Sequence, residues 1–550
     1  MITPIHTLLL IVFGAWAVGM AVWRTGRRLR FFLHMLQLEG YKPGAYAASV
    51  SHHAPDTFAR PSHAVGGILL VASVIWPEPL VLLPLWGLAF ASSRRYRRDR
   101  PKKPFAPTAR MKRLMVGAAV IDLAFAAGAA VLAPGGPLSA GLLALFTADL
   151  LAPAAVYLAA VVLAPVERAV HRSFIRQAKA HLAGRPDLRM VAITGSYGKT
   201  SVKFAIRDIL AQRYPVLATP GSFNTPMGIC RVVNTMLADD HRWLVLEMGI
   251  RHKGDIAELC DIARPHIAVI TSIGVAHLET MGSIDAIAEE KGSLLRYVQP
   301  GGRAVLNLDD PRVAALAGPA NAHLAPLTVS ARGNPDADLR AEDVAYTAEG
   351  VTFTVHSKPG NTADPDPKPE TVAFTSRLLG EHNILNILLA LGVGQLAGLS
   401  LRQMRHAVAR MQPVPHRLEL RHENGQHVLD DAFNSNPVGA RSAVDVLSRF
   451  TSGKRVVITP GMVELGGREA DENREWGTYM ADKVDAVVLV GPERTRPIAE
   501  GLRAGGFPDA HIHPVRTLFD ARDWLARHTG PGDTILYEND LPDQYTEAAP

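Results

Sequence analysis

Cysteine is almost absent from this sequence: 550 residues contain two, Cys230 and Cys260. They do not form a C-x-x-C pair, and no histidine cluster with zinc-ligand spacing accompanies them. Neither a disulfide framework nor a structural metal site is therefore indicated, and a reducing cytosol fits best. Because 550 residues exceed the size of one hydrophobic core, we expect about three or four domains.

A separate basic tail is also lacking, although the formal net charge is +6. The excess of lysine and arginine lies beside long apolar runs before residue 166, where basic residues set the orientation of membrane helices. This placement argues against nucleic acid as a partner and favours a membrane. After residue 166 the composition changes to the mixed charge and Gly/Pro punctuation of a soluble globular protein.

Four apolar runs predict an α-helical transmembrane bundle in residues 1–166. They cover 7–23, 64–91, 114–133 and 140–164. A cleaved signal peptide is the alternative for the first run, but its basic flank follows the run and no cleavage site is evident, which favours an uncleaved anchor. Buried helices of a soluble domain are the alternative for all four, but their alternation with arginine blocks favours membrane spans.

The second run is interrupted by Trp76-Pro77-Glu78-Pro79, which predicts either a tight helical hairpin or one kinked helix. Segments 24–60 and 94–113 flank this run and are both basic, so the positive-inside rule puts both in the cytoplasm. An even number of crossings must then separate them, which favours the hairpin. We expect about five spans in the inner (cytoplasmic) membrane, with everything after residue 165 in the cytoplasm.

A phosphate-binding loop follows the membrane region. Residues 189–194 (RMVAIT) are typical of a β-strand, the loop GSYGKT follows, and residues 201–212 have helical composition. The two glycines let backbone N–H groups turn toward phosphate, the lysine adds a positive charge and the threonine hydroxyl can bind Mg²⁺. We predict that ATP is bound by Gly195, Ser196, Tyr197, Gly198, Lys199, Thr200 and Ser201.

Counted from Gly195, the loop is shorter than the common GxxxxGK[ST], and it resembles the TGTxGKTxT loop of the Mur ligases. These ATP-dependent enzymes add amino acids to the peptide stem of peptidoglycan precursors. Further matches follow in order: TPGSFNTPMG (219–228), WLVLEMG (243–249), TSIGVAHLE (271–279), EEKG (289–292) and GEHNILN (380–386). Three more are similar to the branch that adds D-alanyl-D-alanine: PHRLE (415–419), DDAFNSNP (430–437) and GMVELG (461–466).

This resemblance implies a fold, a reaction and a set of site residues. The fold is an α/β pair, with a P-loop Mur-ligase central domain at 184–411 and a Rossmann-like C-terminal domain at 412–550. The reaction phosphorylates a carboxylate with ATP, and an amine then attacks the acyl phosphate. The implied catalytic residues are Lys199, His277 and Lys291. The implied nucleotide contacts beyond the loop are Asn383, Asn386, Arg417 and Asp431.

The resemblance also implies two magnesium sites, one at Thr200 and a second between Glu247 and His277. Lys291 aligns with the lysine that is carbamylated in many members, and a carbamate would make it an anionic oxygen ligand suited to Mg²⁺. Within the fold, 455–459 and 486–490 have the composition of buried parallel strands. The segment 334–375 predicts a hairpin insertion around VTFTV.

Two features depart from the family pattern. No soluble segment before residue 190 can be the domain that holds the UDP-sugar in ordinary Mur ligases, since the membrane region occupies its place. Near the end, where the D-alanyl-D-alanine branch has a K-G-S-R-type motif, residues 535–543 read ILYENDLPD. We therefore hypothesise a lipid-anchored carboxylate acceptor, with an amino acid or dipeptide as amine donor.

Other functions remain as alternatives. One is a ligase for another amino-acid polymer, and one is a membrane-tethered nucleotide-binding scaffold that has lost ligation. Retention of the metal and phosphate residues argues against the scaffold. A transporter ATPase is disfavoured because the sequence has no signature helix motif and no second phosphate loop.

Overall fold

The computed structural model describes residues 4–52, 61–91, 105–347, 350–359, 369–433, 435–463 and 465–540. The chain divides into two compact units, Met1–Arg172 and Ser173–Pro550. The described regular elements of the first unit are helices, and the second unit contains two β-sheets with flanking helices. Asn434, Glu464 and residues 541–543 of the predicted motifs lie outside the described residues.

Three helices of the first unit, α1, α5 and α6, are long and apolar enough to cross a membrane. Helices α3 and α4 are shorter, so the expected count of about five spans requires both to cross and stays a prediction. The helix bounds are α1 Pro4–Leu38, α2 Pro43–His52, α3 Pro61–Ile75, α4 Pro79–Ala91, α5 Ala109–Leu132, α6 Pro137–Val162 and α7 Ala164–Ala183.

The second apolar run forms a hairpin, as predicted. Helix α3 ends at Ile75 and α4 begins at Pro79, so the Trp-Pro-Glu segment makes the turn. A methyl group placed on Gly66, early in α3, would lie 3.9 Å from the ring of Phe90, late in α4. The far ends of the two helices therefore meet, which one kinked helix would not allow.

Helix α1 differs from the prediction because it continues past Trp23, through residues that we expected in a basic cytoplasmic loop. Arg24 and Arg28 are fully buried in the helical unit. They are accommodated by Asp149 of α6, whose carboxylate lies 2.9 Å from Arg24 Nη2 and 3.7 Å from Arg28 Nε. His63 Nε2 of α3 lies 2.8 Å from the same carboxylate. We call Arg24, Arg28, His63 and Asp149 the ionic cluster.

The larger sheet has the strand order β2-β3-β1-β4-β5-β6-β7-β8-β9, and its first six strands run parallel. Strand β1 lies inside the sheet between β3 and β4, and Val191 to Ile193 are fully buried because helices cover both faces of a parallel sheet. The bounds are β1 Arg189–Thr194, β2 Val216–Ala218, β3 Trp243–Glu247, β4 Ile267–Ile270, β5 Arg303–Asn307, β6 Leu327–Ser330, β7 Leu339–Thr347, β8 Gly350–Ser357 and β9 Thr371–Ser376.

Strands β7 and β8 form the expected antiparallel hairpin, but β9 adds a third strand and the segment is part of the larger sheet. Strand β7 pairs with β6 in parallel and β8 and β9 follow antiparallel, so the segment extends the parallel sheet. Phe353 and Phe374 stack across β8 and β9 with ring centroids 5.8 Å apart and join the core of the same domain. The alternating pattern around VTFTV revealed the strands but not their attachment to the sheet edge.

Helices of the same domain position site residues at or near their ends. Helix α8 directly follows the phosphate loop and buries Val202, Ile206 and Ile209 against the sheet at the spacing of one helical face. The bounds are α8 Lys199–Leu210, α9 Pro226–Met236, α10 Asp255–Ile262, α11 Leu278–Met281, α12 Ile284–Gly292, α13 Pro311–Ala314, α14 His382–Leu396 and α15 Leu401–Arg410.

The smaller sheet has the order β10-β11-β15-β12-β13-β14, with only β10 antiparallel among its described strands. The predicted strands at 455–459 and 486–490 are confirmed as the parallel neighbours β12 and β13. The bounds are β10 Glu419–Glu423, β11 Gln426–Asp431, β12 Arg455–Thr459, β13 Ala486–Val490, β14 Ile512–Val515, β15 Thr534–Glu538, α16 Pro437–Leu447, α17 Glu469–Met480, α18 Arg496–Ala504 and α19 Leu518–His528.

Candidate nucleotide and ligase site

The phosphate loop connects β1 to α8, as the sequence predicts. Gly198 has φ 78° and N-caps α8, a conformation that favours glycine. A methyl group there would lie 2.5 Å from Asn386 Oδ1, and one on Gly195 would overlap the Thr271 hydroxyl. Both glycines are therefore required by close packing as well as by backbone conformation.

The segment after β4 holds the phosphate loop in place. The Ser196 N–H donates to Ser272 O at 2.7 Å, and the Thr271 hydroxyl donates to Tyr197 O at 2.5 Å. Gly274 N–H donates to Ser196 Oγ at 2.8 Å. Neither Thr271 nor Ser272 was predicted as a site residue, although β1 and β4 are adjacent in the sheet and the residues after them must lie close together.

Lys199 lies over the phosphate loop. Its Nζ donates to Gly195 O at 2.7 Å and Ser196 O at 3.4 Å. Burial lowers the pKa of Lys199 to about 8, and Arg417 acts in the same direction, while Glu247 opposes the shift. Lys199 is therefore mostly protonated below about pH 8, and its ammonium can neutralise a phosphate placed at the loop.

Glu247 ends β3 beside the loop and accepts three hydrogen bonds. Thr200 Oγ1 donates at 2.9 Å, Asn224 Nδ2 at 3.0 Å and Lys203 Nζ at 3.2 Å. Burial opposes ionisation of Glu247, but the cations of Lys203 and Lys199 outweigh it and lower its pKa. The carboxylate is therefore ionised and oriented.

Lys203 is a buried contact of Glu247 that was not predicted from the sequence. It is fully buried on α8, one turn after Thr200, and binds Glu247. Its signal in the sequence is a lysine on the apolar face of an amphipathic helix. Such a position is costly for a charge unless an anion is near.

Thr200 and Glu247 fit a magnesium ion. In an octahedral site with metal–oxygen distances of about 2.0–2.1 Å, adjacent ligand atoms are separated by about 2.9 Å. The Thr200 hydroxyl and the Glu247 carboxylate oxygen have this separation. The assignment of the two residues to different ions stays a prediction.

The other two predicted metal ligands lie nearby but do not complete that site. Among the described residues, no three His, Cys, Asp or Glu side chains are grouped closely enough to hold a metal ion. His277 lines the same cavity as Glu247. Burial, together with the Lys199 and Lys291 cations, lowers its pKa to about 4, so its imidazole is neutral and can act as a ligand.

Lys291 lies in α12 with 1% of its surface exposed. Burial and the Lys199 cation lower its pKa to about 7, against the effect of Glu290. Glu290 accepts the N–H groups of Gly254 and Ile256, each at 2.9 Å, and so fixes α12 to the loop after β3. The backbone of Lys291 is thus fixed next to Glu290, and its side chain is almost fully shielded from solvent.

The loop, Glu247 and His277 open into a cavity of about 350 Å³ that Asn386, Arg417 and Asp431 also line. Asn383 does not line it. Its Nδ2 donates to Leu379 O at 2.7 Å, and its Oδ1 accepts from Asn386 Nδ2 at 2.9 Å. Of the two predicted amide side chains, Asn386 lines the cavity, and Asn383 orients the Asn386 side chain.

A larger cavity of about 670 Å³ lies past Tyr197, at the carboxyl ends of β4 to β6. The segment 307–312 lines it and was not selected from the sequence. Asn307 Nδ2 donates to Thr271 O at 2.9 Å, and Asp310 accepts the Ile273 N–H at 2.7 Å. This polar segment therefore shapes the wall of the cavity, because it fixes the loop that follows β4.

The smaller domain contributes Arg417 and Asp431 to the cavity, as predicted. Arg417 lies over the Phe433 ring at 4.3 Å, and Asp431 accepts the Leu418 N–H at 3.0 Å. Burial raises the pKa of Asp431 to about 6, although Arg417 opposes the shift. Its register partner on β15 is Glu538, whose pKa is raised by burial and by Asp431.

Comparison with known proteins gives matches to both α/β domains. Residues 193–394 match the Mur ligase middle domain, and residues 416–537 match the Mur ligase, glutamate ligase domain. The first unit lies outside both matched regions.

Two curated relatives carry the name UDP-N-acetylmuramoyl-tripeptide–D-alanyl-D-alanine ligase. The protein from Bacillus subtilis is 30% identical over 355 residues, covering 64% of this chain and 72% of the relative. The protein from Mycobacterium tuberculosis is 32% identical over 372 residues, covering 64% and 70%.

A solved structure is similar as well, the MurF ligase from Thermotoga maritima in complex with ADP. It is 26% identical with a TM-score of 0.58, and the match covers 67% of this chain and 80% of that one. The predictions of an ATP-dependent peptide ligase and of a MurF-like fold are confirmed. The chain belongs to the Mur ligase family, the ATP-dependent enzymes that form peptide bonds in peptidoglycan synthesis.

Proposed function

We propose that this ligase joins an amine donor to the carboxylate of a cell-envelope precursor that is held at the inner membrane. One observation carries the proposal: the same chain contains the cavity lined by Lys199 and Glu247 and three helices long enough to cross a membrane. The relatives' names give D-alanyl-D-alanine as the donor and a UDP-muramoyl tripeptide as the acceptor. We take the dipeptide as the first donor to test.

The surface of the helical unit supports a membrane location. On α5, Val116 is 65% exposed, Leu123 70% and Val131 85%. Large apolar side chains exposed along a whole helix are unfavourable in water but suit the hydrocarbon of a bilayer. The helical unit then keeps the ligase at the surface where a lipid-linked acceptor lies.

The site residues support the family reaction by positioning charge. In the first step a carboxylate oxygen of the acceptor attacks the γ-phosphorus of ATP, giving an acyl phosphate and ADP. Lys199 neutralises the phosphate, and Thr200 and Glu247 would hold Mg²⁺, which supplies further neutralisation. In the second step the donor nitrogen attacks the acyl carbon and phosphate leaves. Arg417 and Asp431 would hold the nucleotide from the smaller domain.

The experiment uses the full chain in lipid nanodiscs with ATP, D-alanyl-D-alanine and one of two acceptors. One acceptor is the UDP-linked muramoyl tripeptide, and the other is the same tripeptide on a polyprenyl diphosphate. Phosphate release and product mass are measured, with reactions lacking donor or acceptor as controls. We expect kcat/KM at least tenfold higher for the lipid-linked acceptor, because the bilayer concentrates both reactants in two dimensions.

Equal kcat/KM for the two acceptors would contradict the lipid-linked acceptor and leave the ligase in place. If neither acceptor raises phosphate release above the donor-free control, a wider panel of amino-acid donors decides between a ligase for another polymer and the scaffold.

We further propose that Lys291 is carbamylated. A neutral amine is the form that adds to CO₂, and with a pKa of about 7 Lys291 is largely neutral above that pH. Carbamate formation should therefore increase with bicarbonate and as the pH rises through 7. Peptide mass spectrometry after chemical trapping of the carbamate checks this, with the exposed Lys253 as internal control. No trapped carbamate at Lys291, from pH 7 to 9, would contradict the proposal.

A further inference from the structure

Lys203 lies one helical turn behind the phosphate loop. It is on α8, which begins with Lys199 and Thr200, and its side chain is fully buried. Its Nζ donates to Glu247 Oε2 at 3.2 Å and to the carbonyl oxygen of Gly221 in the loop after β2. Because protein encloses this ammonium, solvent ions screen its charge only weakly. The charge can therefore act on whatever binds at the loop.

One carboxylate oxygen is shared between Lys203 and the candidate magnesium position. Glu247 Oε2 accepts the Thr200 hydroxyl at 2.9 Å, the separation of adjacent magnesium ligands, and it also accepts the Lys203 ammonium. The other oxygen, Oε1, accepts Asn224 Nδ2 at 3.0 Å. A divalent cation bound to Thr200 and Glu247 would therefore share an oxygen with an ammonium group and be repelled by it.

The charges in the cavity wall add to this repulsion. Among the described residues that line the 350 Å³ cavity, Glu247 and Asp431 carry carboxylates. The cations of the same wall are Lys199 and Arg417, and Lys203 adds a third behind Glu247. The protein alone therefore offers little net negative charge to a metal ion. Nucleotide phosphates would supply it, as in the many Mg²⁺ sites that combine one or two carboxylates with substrate phosphates.

We propose that Lys203 is a fixed counter-ion of Glu247 that makes the site selective for a metal–nucleotide complex over a divalent cation alone. A fixed cation opposes a metal ion, attracts a nucleotide and has a smaller effect on their complex, in which the charges partly cancel. A lysine that only stabilised the fold would not distinguish ligands of opposite charge. The inference rests on the magnesium site that is part of the proposed function, and it is independent of the identity of the acceptor.

The test measures three dissociation constants for the full chain in nanodiscs of zwitterionic lipid, with empty nanodiscs as the blank. Mn²⁺, which like Mg²⁺ prefers oxygen ligands, is titrated without nucleotide and followed by electron paramagnetic resonance. ADP is titrated by calorimetry, first in EDTA and then with excess Mg²⁺.

The variants separate the charge of Lys203 from its packing. Lys203→Met removes the charge at similar side-chain length, and Lys203→Gln keeps a polar group near Gly221 O. Arg207→Gln is the matched control, because Arg207 is a partly exposed cation of the same helix that pairs with Asp208. Thermal unfolding verifies that each variant is folded, and either Lys203 variant is sufficient for the test.

Removing the Lys203 charge should shift the first two constants in opposite directions. For Lys203→Met and Lys203→Gln we expect Mn²⁺ to bind about tenfold tighter and ADP in EDTA to bind about tenfold weaker. Binding of ADP with Mg²⁺ should change by less than about threefold, because the opposite effects partly cancel. Arg207→Gln should change each constant by less than about twofold. Adding Glu247→Gln to Lys203→Met should abolish the gain in Mn²⁺ affinity.

Weaker binding of both Mn²⁺ and ADP would overturn the inference, because Lys203 would then act as structural support. Unchanged constants would also overturn it. If the gain in Mn²⁺ affinity survived Glu247→Gln, the ion would bind elsewhere, and the magnesium assignment would be overturned as well. Phosphate release by the wild type with donor and acceptor tests the ligase proposal separately, so the two failures are distinguishable.

Discussion

Replacing Lys199 with alanine is expected to reduce ATP-dependent phosphate release by about 1,000-fold or more. The ammonium is the positive charge that the phosphate loop itself supplies, and its Nζ lies 2.7 Å from the carbonyl oxygen of Gly195, the first residue of the loop. Without it, negative charge that develops on the transferring phosphoryl group loses a fixed counter-charge. Phosphate release under saturating ATP, donor and acceptor is the measurement.

The control is Lys179→Ala, because Lys179 is an exposed lysine paired with Asp261 on the surface. This variant should retain activity within about twofold, since exposed ion pairs contribute little. Thermal unfolding should be similar for both variants because neither lysine supports the hydrophobic core. If Lys199→Ala kept more than a tenth of the wild-type rate, the loop would not be the site of phosphoryl transfer.

Replacing Asp149 with alanine is expected to have the largest effect on stability. Arg24 and Arg28 are both fully buried and both contact this carboxylate. Its removal leaves two buried cations without that anion, and removing one partner of a buried ion pair costs about 3–5 kcal/mol. We expect a lower thermal midpoint of the helical unit in detergent and a smaller monodisperse fraction in size-exclusion chromatography.

A triple variant separates loss of charge balance from loss of packing. This variant combines Arg24→Met, Arg28→Met and Asp149→Leu, so that none of the three positions carries a charge. Apolar replacement of a buried ion pair is often neutral or stabilising, so much of the stability should return. If the triple variant were as unstable as Asp149→Ala, the ionic cluster would not act through charge compensation.

Local patterns predicted much of the fold. The strand β1, the loop glycines and the strands β12 and β13 depend on short apolar runs and on residues adjacent in sequence, so the chain itself displays them. The hairpin of α3 and α4 was also predictable, because proline breaks a helix and the flanking charges limited the number of crossings.

Other features depend on partners distant in sequence. Arg24 looked like the end of a span because an isolated arginine is unfavourable in an apolar helix, and only the fold brings Asp149 to it. Lys203 depends in the same way on Glu247. The spacing of Asn383 and Asn386 could not decide which amide faces the cavity, because that depends on the rotation of α14 against the loop.

The family motifs include many of the residues that line the 350 Å³ cavity, but they do not show how these residues are grouped. Thr200 and Glu247 are far apart in sequence, so the 2.9 Å contact that makes them candidate ligands of one ion is visible only after β1 and β3 pair. The change from a basic to an acidic terminal motif was also visible in sequence. Its consequence, that Glu538 lies beside Asp431 at two strand ends, required the register of β11 and β15.

The ionic cluster has a consequence for how the protein is made. Arg24 and Arg28 are in α1, which is synthesised before α6, the helix that contains Asp149. An arginine near the centre of an isolated membrane helix costs about 2.5–3.5 kcal/mol on insertion scales. In a bilayer, α1 alone would therefore enter only as far as its basic half allows. Its final depth would be reached only after α6 has been synthesised, so that insertion of α1 is completed by a helix more than 100 residues later in the chain.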